Sequence, residues 1–163
     1  MLKLYDTRTR EVLPITGRNG ALQVYCCGPT VYRDAHVGNL RTFLLSDLIS
    51  RAATLSGLQV TLIQNITDVG HMANDLEDKI LAQSKSESID PFSIARKYEE
   101  RFHLDLQRLN IEPADSYPRA SEHIGLMISA IEKLIADGFA FLCLHAEQTS
   151  FLLLVCPGHV KSK

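Results

Sequence analysis

The 163-residue sequence has no tryptophan and only four cysteines, Cys26, Cys27, Cys143 and Cys156. Four is too few for a disulfide framework, and the adjacent Cys26 and Cys27 would make a poor one. Reduced thiols, inert or metal-binding, are expected. No apolar run approaches the ~18 residues of a membrane span, and the N-terminal MLKLYDTRTREV lacks a signal peptide's apolar core. Both absences point to the cytoplasm and away from a membrane. The formal charge of −2 gives no overall basic field for nucleic acid, although a basic patch can sit on a nearly neutral domain. Internal repeats and low-complexity linkers are also missing. What remains is a chain 45% hydrophobic, enough to bury a real core.

Residues 2 to 14 read as an extended entry segment that closes at Pro14, and Asn19-Gly20 signals a turn. ALQVYCC, 21 to 27, reads as a short buried strand ended by Gly28-Pro29. Apolar residues at Leu40, Phe43, Leu44, Leu48, Ala52 and Leu55 recur at helical spacing, with Gly57 suited to the helix end. LQVTLIQN, 58 to 65, is a second buried strand rich in β-branched residues. Strand, helix, strand makes a βαβ crossover, hence an α/β fold with a Rossmann-like parallel sheet. Helices follow. Asp90 is an N-cap with Pro91 at the first helical position, and Phe92, Ala95, Phe102, Leu106 and Leu109 form one apolar stripe. Residues 111 to 121 form a connecting loop. Ile124, Met127, Ile128, Ile131, Leu134 and Ile135 mark a further helix ended by Gly138, and FAFLCL and SFLLLV suggest a hairpin.

The chemistry concentrates at the first strand-to-helix turn. Ligands of open α/β sheets bind at the carboxyl ends of the strands. Here Cys27-Gly28-Pro29-Thr30 ends the strand, and a helix opens near Val37-Gly38-Asn39. Its free N–H groups and positive dipole end favour phosphate. Gly38 lets a nucleotide lie against the backbone, while His36, Asn39 and Thr30 offer polar hydrogens. This is neither GxGxxG nor a P-loop, so the residues by themselves support an anion site of unstated kind. On the four-residue step alone, His36 and Asn39 serve equally as helix caps.

The longer stretch CGPTVYRDAHVGNLRTF resembles the N-terminal signature of cysteinyl-tRNA synthetases, with HVGN in place of the class I "HIGH" motif. NITDVGHM, EDKI, YEERFHLDLQRLNIEPADSYPRASEHI and IEKLIADGFAF resemble the family's later segments, in order, to about residue 141. The resemblance implies ATP-dependent activation of L-cysteine and its transfer to tRNA. It implies an active-site zinc that binds the substrate thiolate, which a serine hydroxyl would match poorly. Cys27 falls on the family's first zinc ligand, and Cys26 on the opposite strand face, in the core. Thr30, His36, Gly38 and Asn39 fall on the ATP-binding turn. His36 and Asn39 carry the catalytic role of stabilising phosphate charge in the transition state. Cys27, Gly28, Thr67 and Asp68 fall at the cysteine-binding end. Asn65 fixes the loop, and His71 is a satisfied loop histidine.

Two departures shape the expectation. Asn39 replaces the second histidine of HIGH, a mild change because asparagine still donates a hydrogen bond. After Phe141 the family's aromatic-glycine hairpin gives way to LCLHAEQTSFLLLVCPGHVKSK. The other three zinc ligands, the Lys-Met-Ser-Lys-Ser loop and the tRNA-binding domains of the family have no counterpart. Cys143, His145, Cys156 and His159 are ligand types in this tail, but packing of the cysteines within a hairpin is the preferred reading. The expected division is thus 1–141, the N-terminal portion of a synthetase catalytic domain, and 142–163, a divergent tail. ATP–pyrophosphate exchange is expected to be undetectable or very slow. Two alternatives are a non-catalytic nucleotide- or partner-binding fragment and a cysteine ligase acting on an amino sugar. NITDVGHM and SYPRASEHI stand closer to the tRNA enzymes.

Overall fold

The computed structural model describes the backbone of residues 2–70, 72–74, 77–144 and 150–154, with side chains over 2–70 and 79–141. His71, His145, Cys156 and His159 lie outside the described residues, as does the side chain of Cys143. The chain divides into two compact units between Ser121 and Glu122.

The first unit opens with a hairpin of β1 (Lys3–Asp6) and β2 (Glu11–Pro14), where one extended segment was expected. Asp6 Oδ1 accepts the Arg8 N–H at 2.7 Å, and Arg10 takes φ 61°, so a tight polar turn reverses the chain. β3 (Ala21–Cys26) then pairs in parallel with β4 (Gln59–Gln64), Val24 opposite Leu62 and Cys26 opposite Gln64. The helix α1 (Val37–Leu55) connects them, giving the βαβ unit read from the sequence. The two strands, read from the sequence as buried, are buried on one face only. Ala21, Gln23 and Tyr25 are exposed, and only the face bearing Cys26, Leu62 and Gln64 meets the core.

The expected stripe of α1 divides. Phe43 is buried and Leu40 packs against the core, whereas Leu44, Leu48 and Leu55 face outward, Leu48 being 53% exposed. Ser46, Asp47 and Ala53 complete the buried face. Ser46 Oγ donates to the Phe43 carbonyl at 2.8 Å. Asp47 accepts from Arg51 Nε at 2.8 Å and from the Glu112 N–H at 3.1 Å. These polar groups enter the interior because every oxygen is paired.

Beyond β4, β5 (Met72–Asn74) and β6 (Glu77–Asp78) form a small antiparallel pair before α2 (Lys79–Glu87). α3 (Pro91–Arg108) starts at the expected cap, with Asp90 accepting the Ser93 N–H at 2.8 Å. It buries Ile94, Ala95, Tyr98, Glu99, Phe102 and Leu106. Phe92 and Leu109, expected on that stripe, are exposed, since they sit in the first turn and at the C-cap. Phe43 and Phe102 meet edge to face at 5.2 Å, joining α1 to α3 above the sheet.

The segment 111–121 is more than a connection. Its backbone runs beside the outer edge of β4, with Gln64 N donating to Ser116 O at 3.0 Å and Ile66 N to Pro118 O at 2.9 Å. The second unit contains α4 (Ile124–Ala136) and an antiparallel hairpin of β7 (Ala140–Leu144) and β8 (Ser150–Leu154). Gly138, at φ 76°, ends the helix in the left-handed conformation glycine tolerates. Among the described residues, no helix is long and apolar enough to cross a membrane.

Candidate active site

The carboxyl ends of β3 and β4 are held together by an unusually close backbone approach. Val31 N donates to Thr67 O at 3.2 Å and Thr67 N to Pro29 O at 3.0 Å, bridging Thr30 to Thr67. Gly28 lies directly beneath Asn65. A Cβ built on it would fall 1.7 Å from the Asn65 carbonyl oxygen, so only glycine fits. The Asn65 side chain then fastens the junction. Its Oδ1 accepts from Tyr25 Oη at 2.8 Å and Gly28 N at 3.0 Å, while Nδ2 donates to Thr67 Oγ1 at 3.2 Å. Burial of the hydroxyl, then the nearby Cys27 and Cys26 thiols, raise the Tyr25 pKa, so this phenol remains a donor.

The two cysteines diverge as strand alternation demands. Cys26 is buried in the core, and Cys27 is exposed at the strand end with its Sγ 3.8 Å from the Gly28 carbonyl. Among the described residues no group of three or more His, Cys, Asp or Glu side chains could hold a metal ion. A lone thiolate does not make a zinc site, which takes three or four ligands. The described residues therefore do not fit the zinc that the resemblance implies, and no step is derived through it.

His36 and Asn39 cap α1 reciprocally. His36 Nδ1 accepts the Gly38 N–H at 3.1 Å, and Asn39 Oδ1 accepts the His36 N–H at 3.3 Å. An imidazole that accepts at Nδ1 keeps its proton on Nε2, which leaves a donor. The Asn39 amide likewise keeps its NH2. Capping and ligand donation thus use different atoms of the same two side chains. Gly38 sits under the ring, where an added Cβ would come 3.3 Å from Nδ1.

A polar cavity of about 270 Å³ lies between this turn and α2, lined by Gly28, Thr30, Asn39, Tyr32, Arg33 and Lys79 among others. His36, Cys27 and Thr67 are not among its lining residues. Asp68 is only 2% exposed and holds Ser121, accepting from its N–H at 2.9 Å and its Oγ at 2.6 Å. Nearby, Arg119 grips Glu99 with Nε 3.0 Å from both carboxylate oxygens. Burial raises the Glu99 pKa, but bonds from Arg119 and Arg96 outweigh it and leave the carboxyl below its usual range. These pairs fix 119–121 against the end of β4. A larger, more apolar cavity of about 450 Å³ lies by Thr54 and Leu55, at the other end of α1.

Asn65, read as fixing the loop, bonds both Gly28 and Thr67. Tyr32 and Lys79 had no assigned role, and the signal for Lys79 was faint, a charged EDKI segment without apolar period.

A parallel strand pair whose carboxyl ends meet a capped helix start is a Rossmann-like α/β arrangement. The same fold appears in Mycobacterium tuberculosis methionyl-tRNA synthetase in complex with methionyl-adenylate, with a TM-score of 0.64 at 18% identity over 76% of this chain and 23% of that one. The family profile of "tRNA synthetases class I (C) catalytic domain" matches residues 14–153, and the chain belongs to this family. The match continues past Phe141 into the β7–β8 hairpin.

Cysteine--tRNA ligases are among its relatives. The chain is 42% identical over 144 residues to that of Deinococcus radiodurans, covering 86% of this chain and 29% of the relative. Identity is 39% over 146 residues with the Chlorobium chlorochromatii enzyme, covering 86% and 30%. It is 39% over 142 residues with that of Methanococcus vannielii, covering 86% and 28%. The chain therefore spans about three tenths of the length of these curated relatives.

Proposed function

We propose that this chain is the N-terminal, nucleotide-binding portion of a cysteine--tRNA ligase catalytic domain, represented by residues 1–141. In the whole reaction the cysteine carboxylate attacks the α-phosphorus of ATP. The bond between the α- and β-phosphates breaks, pyrophosphate leaves, and the cysteinyl group passes from the adenylate to tRNA. Thr30, His36, Gly38 and Asn39 would bind ATP, with His36 Nε2–H and the Asn39 amide donating to phosphate oxygens as charge grows on them. Cys27, Gly28 and Thr67 would border the amino acid, and Asp68 would hold the wall behind it through Ser121. Support for this reading comes chiefly from the Thr30–Thr67 bridge, which brings the capped helix start and the NITD segment to one sheet end.

The test is calorimetric titration of the chain with a non-hydrolysable cysteinyl-adenylate analogue, 5′-O-(N-cysteinyl)sulfamoyl adenosine. Saturable binding that weakens about tenfold or more in His36→Ala is expected, the scale of one lost hydrogen bond to a charged group. A folded chain that binds neither the analogue nor AMP overturns the reading.

A further inference from the structure

We infer that Asp34 and Arg101 are positioning residues, an ion pair that pins the loop leading into His36 and so holds the imidazole ready for a nucleotide phosphate. This rests on the reading that His36 donates to phosphate, and adds the groups that fix where that donor stands.

The loop between β3 and α1 is fastened at both ends by its backbone and in the middle by a side chain. At the start, Val31 N donates to Thr67 O and Tyr32 N to Thr30 O. At the finish, Asn39 Oδ1 accepts the His36 N–H. No backbone–backbone hydrogen bond among the described residues holds 33 to 35, and Arg33 and Asp34 are exposed. The contact that spans this gap joins positions 67 residues apart. Asp34, two residues before His36, accepts from Arg101 of α3, Nε to Oδ1 at 2.6 Å and Nη2 to Oδ2 at 2.8 Å. Two parallel bonds fix a carboxylate in angle as well as in distance. Asp34 also lines the polar cavity beside Thr30 and Asn39, so the pair stands at the rim of the site.

Exposed ion pairs generally contribute little, and both partners here are about half exposed. Bidentate geometry and membership of a network are the conditions under which such a pair matters. Both hold. The Arg101 guanidinium carbon stands 5.8 Å from the ring centroid of buried Tyr98. Tyr98 Oη donates to Glu87 Oε1 at 2.8 Å, and Glu87 also pairs with Lys97, which ties α3 to the end of α2. Arg101 therefore projects from a helix fixed by its buried face, and the loop takes its position from that helix. Its effect on binding is one of populations. When the binding-competent conformation is only fractionally occupied, the apparent affinity falls by that fraction. The pair keeps the fraction high before any ligand arrives.

The experiment titrates the full chain and its variants with the cysteinyl-sulfamoyl adenosine analogue and with AMP by calorimetry, with circular dichroism and urea unfolding alongside. Asp34→Ala is expected to weaken both ligands about threefold, fivefold being the ceiling for a pair at the top of the exposed range. The sign separates positioning from charge, because removing a carboxylate from the cavity wall would by charge alone tighten an anion. Arg101→Lys keeps the charge and loses the fork, so it should weaken binding about twofold and serves where Asp34→Ala fails to fold. In the His36→Ala background Asp34→Ala should cost nothing more, since no imidazole is left to position. A parent chain that binds the analogue while Asp34→Ala binds it equally or more tightly overturns the pair alone. So does a threefold loss that persists without His36. A role confined to stability would move the urea midpoint and leave both affinities, which also overturns the proposal. A parent chain that binds neither ligand removes it together with the reading beneath it.

Discussion

Gly28 shows how one missing methyl group can decide a site. The strand ends are close enough to share backbone hydrogen bonds only because nothing projects from this position toward Asn65. Gly28→Ala should lower unfolding stability by about 3 kcal/mol, since backbone rather than a flexible side chain blocks the new atom. The check is a shift of the urea midpoint at unchanged m-value. Sequence reasoning placed Gly28, Cys27, His36 and Thr67 near one another only through the family resemblance. Spacing cannot bring residue 28 to residue 65. The Asn65 side chain that joins Tyr25, Gly28 and Thr67 is invisible to hydropathy for the same reason.

Whole elements were legible where apolar period and punctuation agreed. The β3–α1–β4 unit has flanking Gly28-Pro29 and Gly57, α3 has Asp90-Pro91, and the β7–β8 hairpin has two apolar runs around a polar turn. α2 escaped because KILAQSKSE buries only Ile80. The face of α1 was legible at Leu40 and Phe43 but not at Ser46 and Asp47, which are polar in sequence yet satisfied by bonds in the fold. This contrast yields an element-scale prediction. Leu48→Glu on the exposed stripe should change stability by less than about 0.5 kcal/mol, whereas Phe102→Ala beneath it should cost about 3–5 kcal/mol. Thermal or urea unfolding of the two variants measures the difference directly.

The α3 helix also carries a pH response. Burial lowers the His103 pKa below its ordinary 6.5, with Glu99 opposing and Arg119 reinforcing, beside the Tyr117 ring at 4.6 Å. The unfolded chain therefore takes up the proton first, and stability should fall as pH drops below 6.5. Further down, Glu87 is held at about 2 by bonds from Lys97, Gln83 and Tyr98. Its contribution is complete above the ordinary carboxyl value of 4.5 and is lost as pH falls towards 2. Urea midpoints measured between pH 7.5 and 5 should decline in the parent chain and flatten in His103→Phe. An unchanged slope in that variant would assign the decline to other groups.

At the scale of the whole molecule, the chain keeps a complete strand-to-helix turn while spanning only three tenths of its curated relatives. It exposes the outward leucines of α1 and the face of β3 that bears Tyr25. The backbone of 115–120, bonded along β4, has a further effect. It occupies the β4 rim of the parallel pair from Leu62 to Ile66, so a strand added to this sheet on that side would first have to displace it.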